Sequence, residues 1–339
     1  MDKKSISQYF PEEARLARVD KALLQILNQG NLIVSSAAKE LEQDEWVLLE
    51  RLNEMCAGGM PLVRLAEGEY VLSTRVDPLS ASQLAGLLRS EAQAVPLHVA
   101  WSLKSTNEAA AELASRFEGG GFILLAEQQT KGRGRRGKDW LSPFGENLYL
   151  SYKVDFSKGA AQLAGLSLVV GVAVASALEE LCGLPGISIK WPNDIYYQER
   201  KLGGVLIEVV GDMQGNCSAI IGLGINGTIP NENVGQAVAA IEEMLSDNIS
   251  RHEWVAHIID AVYIHVERFK KEGLQAFLNQ WRRYHLLEGK LVTVMLGENS
   301  VEGRAVGITA SGELIVETDS GKQTFSAGEV SVRKHAVID

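Results

Sequence analysis

The sequence predicts a multidomain α+β protein in three parts, on three observations. A helical front closes in a hairpin, a long centre intermixes strands and helices, and a tail of short strands is punctuated by glycine turns. The length of 339 residues agrees, at about 100–200 residues per domain. With 46% hydrophobic and 22% charged residues, the composition excludes collagen-like and disordered chains. A formal net charge of −10, from 33 Lys plus Arg against 43 Asp plus Glu, gives no global attraction to nucleic acid or anionic lipid. Any site for a polyanion must therefore be local.

The front spans residues 1–75. Leu23, Leu24, Ile26 and Leu27 end at Gly30; Ala37, Ala38 and Leu41 form a short helix; Val47, Leu48, Leu52 and Met55 repeat at helical spacing until Gly58-Gly59. Leu62–Leu65, the turn Glu67–Glu69 and Tyr70–Leu72 then read as a small hairpin. Three short helices and a hairpin are the order of a winged helix-turn-helix, whose third helix enters the DNA major groove. Charge opposes that use here, because Glu42, Asp44, Glu45, Glu50 and Glu54 face a single Arg51 on or beside the third helix. Phosphate neutralisation supplies most non-specific affinity for DNA, so this face would repel it. A docking or regulatory module is the competing reading, with Arg51 and Arg64 of the wing as the positive contacts left for DNA.

Residues 1–20 hold no continuous apolar run, which predicts that the chain carries no secretory signal. Cys56, Cys182 and Cys217 are odd in number, far apart and without CxxC or histidine spacing, which predicts neither a disulfide framework nor a zinc site. A reducing cytoplasm is the expected setting, and no metal ligand set is expected.

A polar linker, Thr74 to Ser82 with Pro78, leads into the centre, residues 83–285. Strands are expected at Phe122–Ala126, Leu148–Tyr152, Ile187–Trp191, Val205–Val209 and Ala219–Gly222. Helices are expected at Thr106–Arg116, Gln162–Cys182, Glu253–Lys271 and Leu274–Tyr284. The most apolar stretch, Leu163–Leu178, falls short of the ~20 residues that span a bilayer, so it reads as a buried core helix with no membrane role. In the tail, residues 286–339, strands at Leu291–Leu296, Val301–Gly307, Leu314–Glu317 and Gln323–Phe325 predict a small β-barrel or sandwich.

Chemistry concentrates in a few places. Gly132-Arg133-Gly134-Arg135-Arg136-Gly137-Lys138 follows a strand, where glycines let backbone approach a ligand and arginines offer paired donors to carboxylate or phosphate. It is neither a P-loop nor a dinucleotide fingerprint. A solvated basic loop or an RNA-binding Gly-Arg stretch is the plain alternative; a single copy in an acidic α/β region, followed by Asp139-Trp140-Leu141-Ser142-Pro143, favours an anion cradle. Lys190-Trp191-Pro192-Asn193-Asp194 puts a lysine at the end of an apolar strand, where it either snorkels to solvent or meets an anion. Lys201–Glu208 and Gly222–Asn226 bring glycines into strands, where another backbone or a flat ligand packs closely. Ser105-Thr106-Asn107 opens a helix as a capping cluster.

In this order, Ser105–Asn107, Gln129, Gly132–Lys138 with Trp140 and Ser142-Pro143, Lys190–Asp194, Lys201–Glu208, Gly222–Asn226 and Gly328–Arg333 resemble the biotin protein ligases over roughly residues 99–333. The front resembles the bifunctional bacterial form that is also the biotin operon repressor. The resemblance implies a mixed α/β catalytic domain akin to the class II aminoacyl-tRNA synthetases and an SH3-like C-terminal β-barrel. It implies that ATP, with Mg2+, activates biotin to biotinyl-5'-AMP, and that biotin passes to a lysine of the biotin carboxyl carrier protein of acetyl-CoA carboxylase. Lys190 and Arg135 would be catalytic, Lys190 bridging carboxylate and α-phosphate. Ser105, Thr106, Asn107, Gln129, Arg133, Gly134, Arg135, Lys190 and Gly204 would meet biotin. Arg133, Arg135, Arg136, Lys138, Trp140, Asn226 and Arg333 would meet ATP or the adenylate. Asp194 is a candidate base for the target lysine by proximity, and a homodimer on operator DNA is implied for the repressor role. Two alternatives stand beside this reading: a lipoate-type acyl-adenylate ligase, and a ligand-sensing DNA-binding regulator without catalysis.

Overall fold

Apolar periodicity and glycine or proline punctuation set most of the element boundaries. The computed structural model describes residues 6–117, 120–183, 185–230, 234–245, 249–297, 299–327 and 331–334. At the front lie α1 (Pro11–Leu27), β1 (Leu32–Ile33), α2 (Val34–Glu40), α3 (Glu45–Ala57), β2 (Leu62–Ala66) and β3 (Glu69–Leu72), with the sheet ordered β1-β3-β2. The first helix is not short: proline at its first turn pre-sets the backbone, and it runs for 17 residues. Arg51, expected to face phosphates, turns inward instead. Its Nε donates to Asp20 Oδ1 at 2.8 Å, it also pairs with Glu54, and the Asp20 side chain is 1% exposed.

The centre contains α4 (Ala81–Leu87), β4 (Leu97–Leu103), α5 (Thr106–Ala114), β5 (Phe122–Gln129), β6 (Leu148–Phe156), α6 (Leu166–Cys182), β7 (Ile187–Lys190), β8 (Asp194–Tyr197), β9 (Arg200–Gly211), β10 (Cys217–Ile225), α7 (Arg251–Glu272) and α8 (Leu278–Tyr284). Its sheet has seven strands in the order β4-β5-β6-β10-β9-β8-β7. β4 and β5 run parallel, and the other recorded pairs are antiparallel. Alternation along β5 divides the two faces: Phe122 and Leu124 pack with α5 residues Ala110 and Leu113, while Ile123 and Leu125 join the larger core of α6 and α7.

The segment read as a polar linker is not a free tether. Val76 and Leu79 are buried, the Leu79 amide donates to Glu127 Oε1 at 2.6 Å, and the Ser80 amide donates to His252 Nε2 at 2.9 Å. Glu127, 1% exposed at its side chain, also pairs with Arg251 at 2.7 Å. Removing one partner of so buried a pair costs about 3–5 kcal/mol, so this junction is firmly held. Ser80 caps α4, which the serine-rich composition had hidden.

By length and composition, the 23 residues Ala160–Cys182 could cross a membrane, with a mean hydropathy of 2.0 over their most apolar 18 residues. In the fold, Leu166, Val169, Val170, Val172, Val174 and Leu178 of α6 are fully or almost fully buried in the central core. A helix covered by protein on so many sides has its apolar surface already spent on packing.

The tail forms β11 (Leu291–Leu296), β12 (Asn299–Ile308), β13 (Leu314–Thr318), β14 (Gly321–Phe325) and β15 (Ser331–Lys334), one antiparallel sheet ordered β14-β13-β12-β11-β15. Among the described residues its end strands do not pair with each other. Val292, Val294, Leu314 and Val316 belong to the same core as α6, and Trp191 Nε1 donates to the Gly312 carbonyl at 2.9 Å.

Burial holds His265 and His285 below the ordinary histidine value of 6.5, and for His285 the carboxylate of Glu288 pulls the other way without prevailing. The unfolded chain therefore takes up protons near pH 6.5 that the folded chain refuses, so their contribution to stability is present above that pH and lost below it. Urea midpoints measured from about pH 7.5 down to about pH 5.5 should fall, and His265→Gln should flatten the slope. A flat wild-type profile would show that these rings titrate alike in both states.

Candidate active site

Parallel pairing of β4 and β5, with Leu103 opposite Gln129, brings the ends of both strands to one edge of a cavity of about 680 Å3. Ser105 caps α5 there. The Thr106 amide and hydroxyl both donate to Gln129 Oε1, at 2.8 and 3.2 Å, and Gln129 Nε2 donates to Ser142 Oγ at 3.0 Å. Asn107, 4% exposed, accepts from Ser151 Oγ at 2.6 Å and donates to Glu208 Oε2 at 2.8 Å.

The floor is strand backbone. A Cβ at Gly222 would stand 2.3 Å from Asn107 Oδ1, and one at Gly224 would stand 2.7 Å from the Trp140 indole. Both strand glycines singled out from the sequence are thus sites of close approach, as Gly204 is toward Asp194.

The glycine-arginine segment folds over this floor as a tight loop. The Gly134 amide donates to the Lys138 carbonyl at 2.7 Å and the Trp140 amide to the Gly132 carbonyl at 2.9 Å; Arg136 and Gly137, at φ +57° and +68°, make the turn. Arg133 pairs with Glu208 at 3.2 Å. Arg135 donates to Asn193 Oδ1 at 2.9 Å and also to the Ala327 carbonyl in the tail. Burial pushes the Arg135 guanidinium below its usual range, with the charge of Asp194 opposing that shift.

β7 delivers Lys190 to the same cavity, its Nζ 5.8 Å from the Tyr196 ring centroid. The following turn carries Asn193, tied to the Val205 carbonyl at 2.9 Å. Asp194, a candidate base from the sequence, is engaged by Lys201 Nζ at 3.1 Å, and Lys201 in turn lies 5.5 Å from the Trp140 ring centroid. Asn226 is buried, its Nδ2 donating to the carbonyls of Lys201 and Ala239 at 3.3 and 3.1 Å.

Of the residues expected here from the sequence, all but Arg333 line this one cavity. Arg333 stands opposite Thr293 in β15, but its side chain, like residues 328–330 of the same motif, lies outside the described residues. Its neighbour Val332 reaches the cavity wall. Sequence reasoning named no role for Ser142, Ser151, Asn193 or Glu208; for Glu208 the signal was present, since Gly204, Leu206 and Glu208 share one face of β9 by period two.

Within a chain of net charge −10 the cavity gathers Arg133, Arg135, Arg136, Lys138, Lys190 and Lys201 against Asp139 and Asp194. Its size suits a small molecule, and its charge suits one with several anionic oxygens. Among the described residues no group of three His, Cys, Asp or Glu side chains could hold a metal ion.

This sheet with its cation-lined cleft is shared with the protein-modifying acyl ligases. A family profile described as the biotin/lipoate A/B protein ligase family matches residues 99–226, and one described as the biotin protein ligase C-terminal domain matches residues 289–333. The bifunctional ligase/repressor BirA of Escherichia coli is 34% identical over 267 residues, covering 78% of this chain and 81% of that protein. BirA of Bacillus subtilis is 27% identical over 315 residues, covering 91% and 97%. Among solved structures, a biotin protein ligase from Aquifex aeolicus in complex with biotin and ATP superposes with a TM-score of 0.61 at 32% identity, covering 70% of this chain and 99% of that one. The chain belongs to the biotin protein ligase family.

Gly132→Ala tests how the loop is held. A Cβ there would meet the Trp140 carbonyl at 2.3 Å and Ser142 Oγ at 2.6 Å, so the base of the loop must part. Cleavage by a broad-specificity protease between Thr130 and Lys138 should quicken at least about tenfold, the effect of about 1.4 kcal/mol on the opening equilibrium. Unchanged cleavage in a folded variant would mean that this close contact does not hold the loop.

Proposed function

We propose that the chain is an ATP-dependent biotin–protein ligase. It joins biotin to AMP with release of pyrophosphate, then passes the biotinyl group to a lysine of the biotin carboxyl carrier protein of acetyl-CoA carboxylase with release of AMP. The observation that carries this reading is the convergence of Lys190, Arg133 and Arg135 on one cavity that is also lined by the neutral hydrogen-bonded set Thr106, Asn107 and Gln129. The neutral set suits an uncharged polar ring such as a ureido group, and the cationic set suits a carboxylate meeting a phosphate. The tail match to the biotin-specific C-terminal domain favours biotin over lipoate, which the central match alone does not separate.

In this reading Ser105, Thr106, Asn107, Gln129, Gly134 and Gly204 shape the biotin end. Lys190 stands between carboxylate and α-phosphate and lowers the repulsion between two anions as the new bond forms. Arg133 and Arg135, with Arg136 and Lys138, close the loop over the adenylate and keep water from the anhydride until the carrier lysine arrives. Trp140 and Asn226 lie at the nucleotide end, and Arg333 is proposed to reach the phosphates from the tail. Mg2+ enters with ATP, held by its phosphates and at most one or two carboxylates. Asp194 is less suited to be the base than proximity alone suggests, because its carboxylate already faces Lys201.

The three parts are proposed as residues 1–75, a winged helix; 83–285, a catalytic domain of class II synthetase type; and 286–339, an SH3-like barrel. A second role, biotin-responsive repression by a homodimer on operator DNA, is favoured by the helix and hairpin order of the front and by relatives named ligase/repressor. The charge of α3 sets its strength. With Arg51 held by Asp20 and Glu54, the exposed face offers Asp44, Glu45 and Glu50 to phosphate.

Lys190→Ala should cut pyrophosphate release in the presence of biotin and ATP about 10²–10³-fold in a protein that still folds; activity above a third of wild type would remove Lys190 from the reaction. Radiolabelled biotin, ATP and an apo carrier domain decide the ligase reading itself, since covalent label on the carrier is required.

Gel shifts on the upstream regions of biotin synthesis and uptake genes should give micromolar binding at physiological salt, tightened by biotin and ATP. Nanomolar binding would show that contacts outside α3 outweigh its acidity, and no shift at micromolar protein would favour a docking role for the front.

A further inference from the structure

Glu208 belongs to none of the groups that border the cavity, yet two of those groups meet on it. Arg133 Nη2 lies 3.3 and 3.2 Å from its two carboxylate oxygens, and Asn107 Nδ2 donates to Oε2 at 2.8 Å. We propose that Glu208 is a positioning residue of the site: it fixes Arg133, and through it the glycine-arginine loop, against Asn107 on the cavity wall.

The geometry separates this pair from an ordinary surface ion pair. Two long side chains meeting in solvent gain little, because ordering both offsets the attraction. Here one partner is ordered in advance. Asn107 is buried, its Oδ1 is taken by Ser151 and its amide nitrogen by Glu208, and the missing side chain at Gly222 leaves it room to lie flat on β10. Glu208 is held by that bond whether or not the loop is present, so Arg133 docks on a carboxylate that has already lost its freedom. The two side chains are 42% and 33% exposed, so the pairing is reversible and its gain is modest. Reversibility suits a loop that must open for ligands to enter and leave. It also ties the register of the loop to the side chain that shapes the small-molecule end: a shift of Asn107 moves Glu208, and a shift of Glu208 releases Arg133.

The consequence for catalysis rests on the ligase reading, whereas the consequence for the loop does not. Two readouts therefore go together. The first is cleavage between Thr130 and Lys138 by a broad-specificity protease in the ligand-free protein, for the wild type, E208Q, E208A, R133A and the E208A/R133A pair. E208A should raise the rate about three- to fivefold, the size of a partly exposed pair. E208Q keeps the acceptor for Asn107 but loses the charge, and should fall between. In the R133A background E208A should add almost nothing, because the two act through one bond. The second readout is steady-state ligation: E208Q should raise KM for biotin about threefold with kcat changed less than twofold, as expected when a ground-state contact loosens.

An E208A effect of equal size with and without Arg133 would overturn the proposal and assign Glu208 to the sheet alone, as would wild-type cleavage rates in a folded E208Q and E208A. Non-additive cleavage in a protein that shows no biotin-dependent pyrophosphate release would sustain the positioning role and reject the ligase reading.

Discussion

The site depends on one steric constraint: β10 must present bare backbone where Asn107 and Trp140 come down on it. Asn107 comes from the start of α5 and Trp140 from the end of the glycine-arginine loop, and each lands on a glycine of the same strand. A methyl group at either position would intrude to within 3 Å of the side chain above it, far inside ordinary carbon contact. Because β10 lies between β6 and β9 in the sheet, it cannot retreat to make room. The helix start and the loop are therefore placed by what this strand lacks.

On that floor the charges can be arranged without mutual cost. Arginines placed in one short loop of an open coil would repel each other; here Arg133 and Arg135 point apart, one to Glu208 on β9 and one to Asn193 and the tail. Each is pinned by a different layer of the structure. The acidic surplus of the chain stays outside, and the two carboxylates that do enter the cavity leave a cationic majority, with Asp194 beside Lys201. An anion entering from solvent meets donors already oriented, so little reorganisation is left to oppose binding.

Much of this was legible in the sequence, and the rest was hidden for physical reasons. Local signals were sufficient where chemistry is local: the glycine spacing of the loop, the capping serine at Ser105 and the lysine ending an apolar strand each mark a cavity wall. The helical and extended runs of the centre were readable because burial on two faces makes them continuously apolar, as in α6 and β5. β4, at one edge of the sheet, and β8, one strand in from the other edge, escaped because their polar residues, such as His98, Ser102 and Asp194, break the apolar pattern. The pairings of Arg133 with Glu208 and of Arg251 with Glu127 join residues 75 and 124 positions apart, and no period in a single sequence specifies such contacts. The same gap hid the inward turn of Arg51, since composition counts its charge but not its direction.

The least legible feature is how the front meets the centre. A boundary drawn near residue 75 treats the first part as a separable module, yet Trp101 of β4 and Phe144, with ring centroids 4.5 Å apart, belong to the apolar core of the front. The C-terminal end of α3 completes the contact. The Gly58 carbonyl accepts both Gln128 Nε2 and the Phe144 amide at 3.0 Å, and a Cβ at Gly59 would strike Pro143 at 2.7 Å. Gln128 and Pro143 are the chain neighbours of Gln129 and Ser142, which hold each other and Thr106 at the cavity. The helix that would face DNA and the wall that would face the ligand are therefore one residue apart on two separate strands of chain. Close-packed interiors transmit small shifts rather than absorb them, so a change of position at Gly58 has no soft element to dissipate in before it reaches Gln129.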